Sequence, residues 1–205
     1  MQVTEIKKIG KGKRYYLVLD EYNKFTIEAE ILAKHKIKTF DEIDSEKLNQ
    51  ILLENGELSA FDRALSYLEK NIKTEKGIRE YLKQKGFLDE SIENAVGKLK
   101  EYGYINDEHF AESYIHTYSN KKGKKLLAYE LALKGVDRAI IDEKLEEIVD
   151  TEQELSSCKE ILEKYIRGKV IDNKTKQKCY GHLASKGFSS GIISQAIREV
   201  LCEQE

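Results

Sequence analysis

Proline and tryptophan are absent from this 205-residue chain, and cysteine is confined to Cys158, Cys179 and Cys202. Three widely spaced cysteines with no CxxC pair exclude a disulfide framework and fit free thiols in a reducing compartment. No stretch approaches the roughly 18 apolar residues of a membrane span, and no apolar run opens the chain as a signal peptide would. The expected location is the cytoplasm, with no membrane partner. Surplus charge of either sign is missing too: 35 Lys plus Arg face 37 Asp plus Glu, a formal charge of −2 and a pI near 6.2. Phosphate-led binding normally comes with a basic surplus, which weighs against nucleic acid as the sole partner.

Catalytic signatures are equally scarce. His35, His109, His116 and His182 stand in no HExxH or zinc-ligand spacing. Gly10-Lys11-Gly12-Lys13 lacks the Walker spacing and opens no amphipathic helix, so it reads as a hairpin turn. Cys179 and His182 are three residues apart, but Cys179 falls on a repeated core position, where a buried thiol accounts for it. The expectation is a chain with no enzymatic activity, no cofactor and no metal.

What the sequence does contain is one unit written three times. The segment Leu82 to Leu99 recurs at Leu131 to Ile148 and at Leu183 to Val200, after 49 and then 52 residues. In each copy a Leu precedes a glycine by four residues, Lys stands directly before that glycine, and Phe or Val directly after. The glycines are Gly86, Gly135 and Gly187. Periods of roughly 20 to 50 residues signal stacked supersecondary units that work through a shared surface more often than a single cleft.

Before the repeats, residues 1 to about 31 alternate with a strand period: Tyr15, Leu17 and Leu19, then Phe25, Ile27, Ala29 and Ile31. With Val3 to Ile9 as a third strand, and a turn at Glu21 to Asn23, this predicts a small antiparallel meander. Three short strands need a helix to dock on, and the pattern Leu48, Ile51, Leu52, ending at Gly56, supplies one. From Ala60 the period is helical, three helices per repeat: 60–71, 74–85 and 89–102; 107–120, 123–134 and 138–149; 152–168, 173–186 and 190–202. The fold class is therefore mainly α, a tandem array of three three-helix repeats with an N-terminal β-meander. Its parts are 1–56, then repeats at 57–105, 106–149 and 150–205.

Each repeated glycine suits a left-handed helix end, with the preceding Leu and the following Phe or Val touching across a Schellman cap. Gly103 repeats the arrangement with Leu99 and Tyr104. Asp137 and Ser189 then suit the next N-cap, whereas the first copy has Leu88 there and Asp89 one residue later. Lys85, Lys134 and Lys186 precede the cap glycines, where a cation favours the helix C-terminus.

The densest basic run is Lys121, Lys122, Lys124 and Lys125 around Gly123, and two readings stay open for it. It is either a solvated loop or a contact for phosphate or an acidic protein surface, helped by free amides at the start of the next helix. A second cluster, Lys7, Lys8, Lys11, Lys13 and Arg14, fits a solvated hairpin. Arg63, Arg79, Arg138, Arg167 and Arg198 are scarce among the lysines. Arg79 lies beside core Ile78 and is expected to pair with Glu75 or Glu80. Tyr102, Tyr104, Tyr114 and Tyr118 fall near helical spacing and read as packing more readily than as base-stacking residues.

The run from Ala64 to Gly86, then LKEYGYINDEHFAESYI from Leu99 to Ile115, then the basic link and YELALKGV from Tyr129 to Val136, resembles the RecX family of bacterial RecA regulators. The likeness extends over about residues 57 to 200. Gly103-Tyr104-Ile105-Asn106-Asp107 followed by Phe110-Ala111 is its most specific part, and the strand-rich leader is similar to that of Gram-positive members. The resemblance implies three tandem three-helix repeats and a non-catalytic protein that binds RecA, lodges in the groove of its filament on single-stranded DNA, and depresses its ATPase and recombinase activities. It also implies DNA binding by some members. The resemblance favours contact of Lys121, Lys122, Lys124 and Lys125 with RecA or DNA; the scarce Arg63, Arg79 and Arg138 are assigned to the same partners, and a monomer is the expected form. Where the family commonly carries Gly-Pro and several Arg in the link, this chain has only Lys, which cannot make the bidentate fork of Arg. The rival reading is a single-strand binder competing for DNA, which steep salt dependence would reveal.

Overall fold

The computed structural model describes residues 1–202. The chain divides into two units, residues 1–72 with 78–105, and residues 73–77 with 106 onward.

The first unit opens with β1 (Val3–Lys8), β2 (Arg14–Leu19) and β3 (Asn23–Glu28), an antiparallel meander in that order. Asp20 and Glu21 take positive φ in the tight loop between β2 and β3, and Leu19 pairs with Asn23, so Asn23 opens the strand instead of belonging to the turn. The strand expected to reach Ile31 stops at Glu28, and residues 29–34 form α1 (Ala29–Lys34). Adjacent Ile31 and Leu32 are both buried, which a helix turn allows and a strand with one buried face does not. Asn55 completes the strand: its Oδ1 accepts from the Glu28 N–H at 2.7 Å and its amide donates to the Thr26 carbonyl at 3.1 Å.

Helix α2 (Ser45–Leu68) is capped by Asp44, whose side chain accepts from the Lys47 N–H at 2.7 Å. It continues through Gly56, where a helix end was expected. Gly56 marks a close approach: a Cβ there would lie 2.6 Å from the hydroxyl of buried Ser91 on α4 (Asp89–Glu101). One helix thus serves two cores. Leu48 and Ile51 join Val3, Leu17, Leu19 and Ile27 under the sheet, so the meander docks on the expected helix. Further along, Ala60 and Ala64 pack with Ile78 and Leu82 of α3 (Glu75–Gln84) and with Ile92, Ala95, Val96 and Leu99 of α4. The boundary expected between residues 56 and 57 therefore falls inside a continuous helix.

In the second unit, α5 (Asp107–Tyr118), α6 (Lys124–Leu133) and α7 (Arg138–Ile148) enclose Ala111, Ile115, Leu127, Leu131, Ile141 and Leu145. The same plan follows in α8 (Thr151–Ile166), α9 (Asn173–Ser185) and α10 (Ser190–Cys202), around Cys158, Leu162, Cys179, Leu183, Phe188 and Ile193. Cys158 and Cys179 are buried free thiols, and burial pushes the Cys158 thiol up to about 12. The free thiol expected at Cys202 lies outside the described side chains.

The helix ends repeat as geometry. Gly86, Gly103, Gly135 and Gly187 have φ of 82°, 70°, 89° and 87°. The next residue's N–H donates five residues back: Phe87 to Leu82, Tyr104 to Leu99, Val136 to Leu131 and Phe188 to Leu183, at 2.8–3.4 Å. These are the 6→1 bonds of a Schellman turn. N-caps follow at Asp137, which accepts from Ala139, and at Ser189, which accepts from Ile192. In the first copy the N-cap position is held by Leu88 itself, 72% exposed and without a side-chain bond, and Asp89 sits inside the first turn.

Candidate partner-binding surface

The motif Gly103-Tyr104-Ile105-Asn106-Asp107 acquires a mechanical account. Gly103 ends α4, Ile105 is buried, and Asn106 caps α5 by accepting from the His109 N–H at 3.0 Å. Asp107 accepts from the Glu75 N–H at 2.8 Å, so one carboxylate serves the first turn of α3. Tyr102 and Tyr104, expected in packing, are largely exposed and meet Phe61 and each other edge to face. Tyr114 and Tyr118 do pack, ring against ring at 4.6 Å between centroids.

The basic link between α5 and α6 is welded to its surroundings through its backbone. Gly123 N–H donates to the Lys186 carbonyl at 2.9 Å and Lys125 N–H to the Gly187 carbonyl at 3.1 Å. Lys124 N–H donates to the carboxylate of buried Glu154 at 3.1 Å. The amides expected to be free for phosphate at the start of α6 are therefore occupied by a carboxylate and by the carbonyls of Lys186 and Gly187, the two residues that follow α9. Room for this contact exists because both partners are glycine: a Cβ on Gly123 would stand 2.5 Å from the Gly187 carbonyl oxygen.

The same device occurs again within this unit. Thr74 donates its hydroxyl to the Lys134 carbonyl at 2.7 Å, and Lys76 Nζ donates to the Leu133 carbonyl at 3.0 Å. The Lys76 stem lies over Gly135, where a Cβ would stand 2.5 Å from Lys76 Cβ. Each of these two glycine caps receives the first turn of another helix.

The four lysines of the link consequently differ. Lys122 is only 22% exposed; its ammonium lies 2.6 and 2.8 Å from the two carboxylate oxygens of Glu130 and 4.4 Å from the Tyr118 ring centroid. Burial draws its pKa down, and the hydrogen bonds to Glu130 and Tyr114 more than offset that, so the net shift is upward. Lys122 is part of the fold and not of a solvated run. Lys121 and Lys125 are exposed and Lys124 half-exposed.

Arg138 is exposed and pairs with Asp142 at 2.8 Å one turn along α7. In the first unit, Arg79 is half-buried and forked onto both carboxylate oxygens of Glu93 on α4, with Nη2 to Oε2 at 3.0 Å. Arg63 is exposed on α2, beside a cavity that Arg14, Glu28 and Asp62 also line. Lys7, Lys8, Lys11 and Lys13 are exposed on the β1–β2 hairpin.

Two features escaped the sequence reading. Tyr129 and Leu133 are 61% and 57% exposed on α6, one turn apart and in line with Lys125. Their type signalled core, and only the burial of Leu127, Ala128 and Leu131 on the other side shows that the helix has more apolar surface than its core uses. The second is the stretch from Lys164 to Lys186, with seven basic residues against Asp172 alone. Its charges are spread between other residues and so form no run. Among the described residues, no group of three or more His, Cys, Asp or Glu could hold a metal, and no helix is long and apolar enough to cross a membrane.

Comparison with known proteins agrees with this architecture. The RecX first, second and third three-helix domains match residues 60–99, 106–145 and 152–197. Regulatory protein RecX of Clostridium botulinum (strain Eklund 17B) is 33% identical over 96% of this chain and 94% of its own length. That of Bacillus licheniformis is 31% identical over 94% of this chain and 74% of its own. A crystal structure of regulatory protein RecX superposes with a TM-score of 0.71 at 25% identity, covering 95% of this chain and 98% of the other. One of RecX from Lactobacillus salivarius gives 0.65 at 27% identity, covering 72% and 97%. Three matched domains in tandem and a third of all positions shared along nearly the whole length place this chain in the RecX family of regulatory proteins.

Proposed function

We propose that this chain binds RecA and its filament on single-stranded DNA, and lowers RecA ATPase and recombinase activity without chemistry of its own. Membership of the RecX family along nearly the full length carries the reading. Surface character supports it: the charged and apolar groups left outward on α6 and its link are spread along a helix, as suits a partner that is itself a repeating polymer. Lys121, Lys124, Lys125, Tyr129 and Leu133 are the residues assigned to that contact, with Arg138 beside them and Arg63 as a further contact in the first unit. Lys122 and Arg79 are assigned to holding the fold. The protein acts as a monomer in the cytoplasm, with no cofactor.

Titration into RecA assembled on single-stranded DNA, followed by ATP hydrolysis, tests the reading. Saturable inhibition at a fixed ratio to RecA is expected. Unchanged hydrolysis together with no co-sedimentation with the filament refutes it.

A further inference from the structure

Two cavities against α8 and α9 share one wall, Tyr165. The ring itself is taken, with His182 stacked on it at 4.3 Å and Lys169 Nζ lying 3.3 Å from its centroid. One cavity belongs to the third repeat alone and has an acid, Asp172, in its lining. The other, about 440 Å³, draws on two repeats: Asn120 and Lys121 come from the link before α6, and Lys164, His182 and Lys186 from the third repeat. Small-molecule sites span roughly 300–1,000 Å³, so this one is large enough to hold a ligand.

The two-repeat cavity borders the joint between those repeats, and the joint is polar. The core around Ile115 and Leu127 and the core around Leu162 and Leu183 have no side chain in common. What ties them here is mostly backbone: Gly123 N–H to the Lys186 carbonyl, Lys125 N–H to the Gly187 carbonyl, and Lys124 N–H to Glu154. A contact with so little buried apolar surface opens more easily than the cores on either side of it. Lys186 supplies the acceptor of the first of these bonds, and Lys121 stands two residues before its donor. Both side chains line the cavity, one from each repeat.

The charge across the joint has one sign. No Asp or Glu lines this cavity, and among the described residues neither Lys121 nor Lys186 has a carboxylate partner. Lys164 pairs with exposed Glu160 at 3.3 Å. By contrast, Lys122, Lys144 and Lys159 of the same unit are each held by a carboxylate and largely covered. Burial, and then the charges of Lys186 and Lys169, hold the His182 pKa below its ordinary value, as a positive field does. Like charges facing each other across a weak joint push it open, and an anion between them draws it shut. Three lysines converging without an acid match a compact ligand that carries several negative charges. A single carboxylate would leave two of them unmet.

We propose that the cavity between the second and third repeats binds a short polyphosphate chain, which latches the joint by bridging Lys121 and Lys186. The phosphate chain is what is recognised, whether free or carried by a nucleotide, since the covered Tyr165 leaves no face for a base. This goes beyond the RecA reading and requires neither RecA nor a nucleic-acid strand.

The test uses sodium tripolyphosphate and the full chain, without RecA. Calorimetric titration should show one saturable site. Hydrogen exchange at the Gly123 and Lys125 amides should slow by about tenfold at ten times Kd, because a ligand held only by the closed joint protects it by 1 + [L]/Kd. Lys121→Gln and Lys186→Gln, one on each side, should each weaken binding by on the order of tenfold, the loss of one charged contact. Lys174→Gln with Lys176→Gln removes two charges outside both linings, and should change affinity by about twofold at most. Adenosine triphosphate should bind no more tightly than tripolyphosphate. No saturable binding, binding that leaves exchange at Gly123 and Lys125 unaltered, or equal losses from the cavity variants and the control pair overturns the proposal. So does much tighter binding of adenosine triphosphate, or of a twelve-nucleotide oligothymidylate at equal phosphate concentration, since a base or an extended strand would then be what is read. The exchange measurement on wild type needs no variant, so a substitution that unfolds the chain leaves the test intact. RecA inhibition is measured separately, and either reading can fail alone.

Discussion

Alanine at Gly187 should damage the protein more than alanine at Gly86, although both glycines close a helix with φ near +85°. The left-handed conformation alone costs a residue bearing Cβ about 1–2 kcal/mol, and the stiffer unfolded chain returns roughly 0.4–1 kcal/mol. At Gly86 nothing else happens, because a Cβ would meet no atom within 4 Å. The net expectation there is about 1 kcal/mol. At Gly187 the new methyl would run into Leu126, its Cα at 2.8 Å and its Cβ and amide nitrogen closer still. Backbone cannot swing aside as a side-chain tip can, so an overpacking term of about 1–3 kcal/mol is added, for about 2–4 in all. Gly123→Ala isolates that second term: its φ of −75° is ordinary, yet its Cβ would stand 2.5 Å from the Gly187 carbonyl oxygen. Urea unfolding followed by circular dichroism ranks the variants, and amide exchange at Gly123 and Lys125 reports the local opening directly. Equal losses at Gly86 and Gly187, with unaltered exchange in Gly187→Ala, would refute the docking of the link onto this cap.

Reversing Lys121, Lys124 and Lys125 to Glu should leave the helical signal and melting temperature near wild type while weakening RecA inhibition. Adding Lys122→Glu should cost about 1–3 kcal/mol more, because it sets a carboxylate against half-buried Glu130; an unchanged melting curve would show that this pair is idle. Cys158 should resist Ellman's reagent at pH 8 in the folded protein and react on unfolding, since burial holds its thiol up near 12; prompt native labelling of Cys158 contradicts the packing. Glu54, hydrogen-bonded by His35 at 2.7 Å and paired with Lys34 at 3.0 Å, is held down to about 2. A folded pKa below the unfolded value near 4.5 means its contribution is present above that pH and lost as pH falls toward 2. Glu54→Gln should therefore flatten the dependence of urea midpoint on pH between 4.5 and 2, and an unaltered slope would sink the assignment.

Whether a feature could be read from the sequence depended on whether its physics is local. The Schellman turn involves six consecutive residues, so Leu, Lys, glycine and Phe or Val at fixed spacing state it completely. Core positions such as Ile78, Leu127 and Cys179 were legible for the same reason, since one helix's periodicity selects its buried side. Gly56 misled because a glycine in a helix has two causes, a stop or a close approach, and the second lies 35 residues away in Ser91. Strand alternation over Ala29 and Ile31 misled because buried Leu32 beside Ile31 carries the opposite message. The basic link shows the limit most clearly. Four like charges in five positions look like one solvated patch, yet Glu130 draws Lys122 inward, and Glu154 and the carbonyls of Lys186 and Gly187 take the amides that would have met a phosphate. Conversely, the Tyr165 cavities draw Lys121 from the link, Lys164 and Lys169 from around the end of α8, and Lys178 and Lys186 from α9 and its cap. No single window of sequence contains more than part of that set, so its charge density emerges only when the third repeat closes on its core.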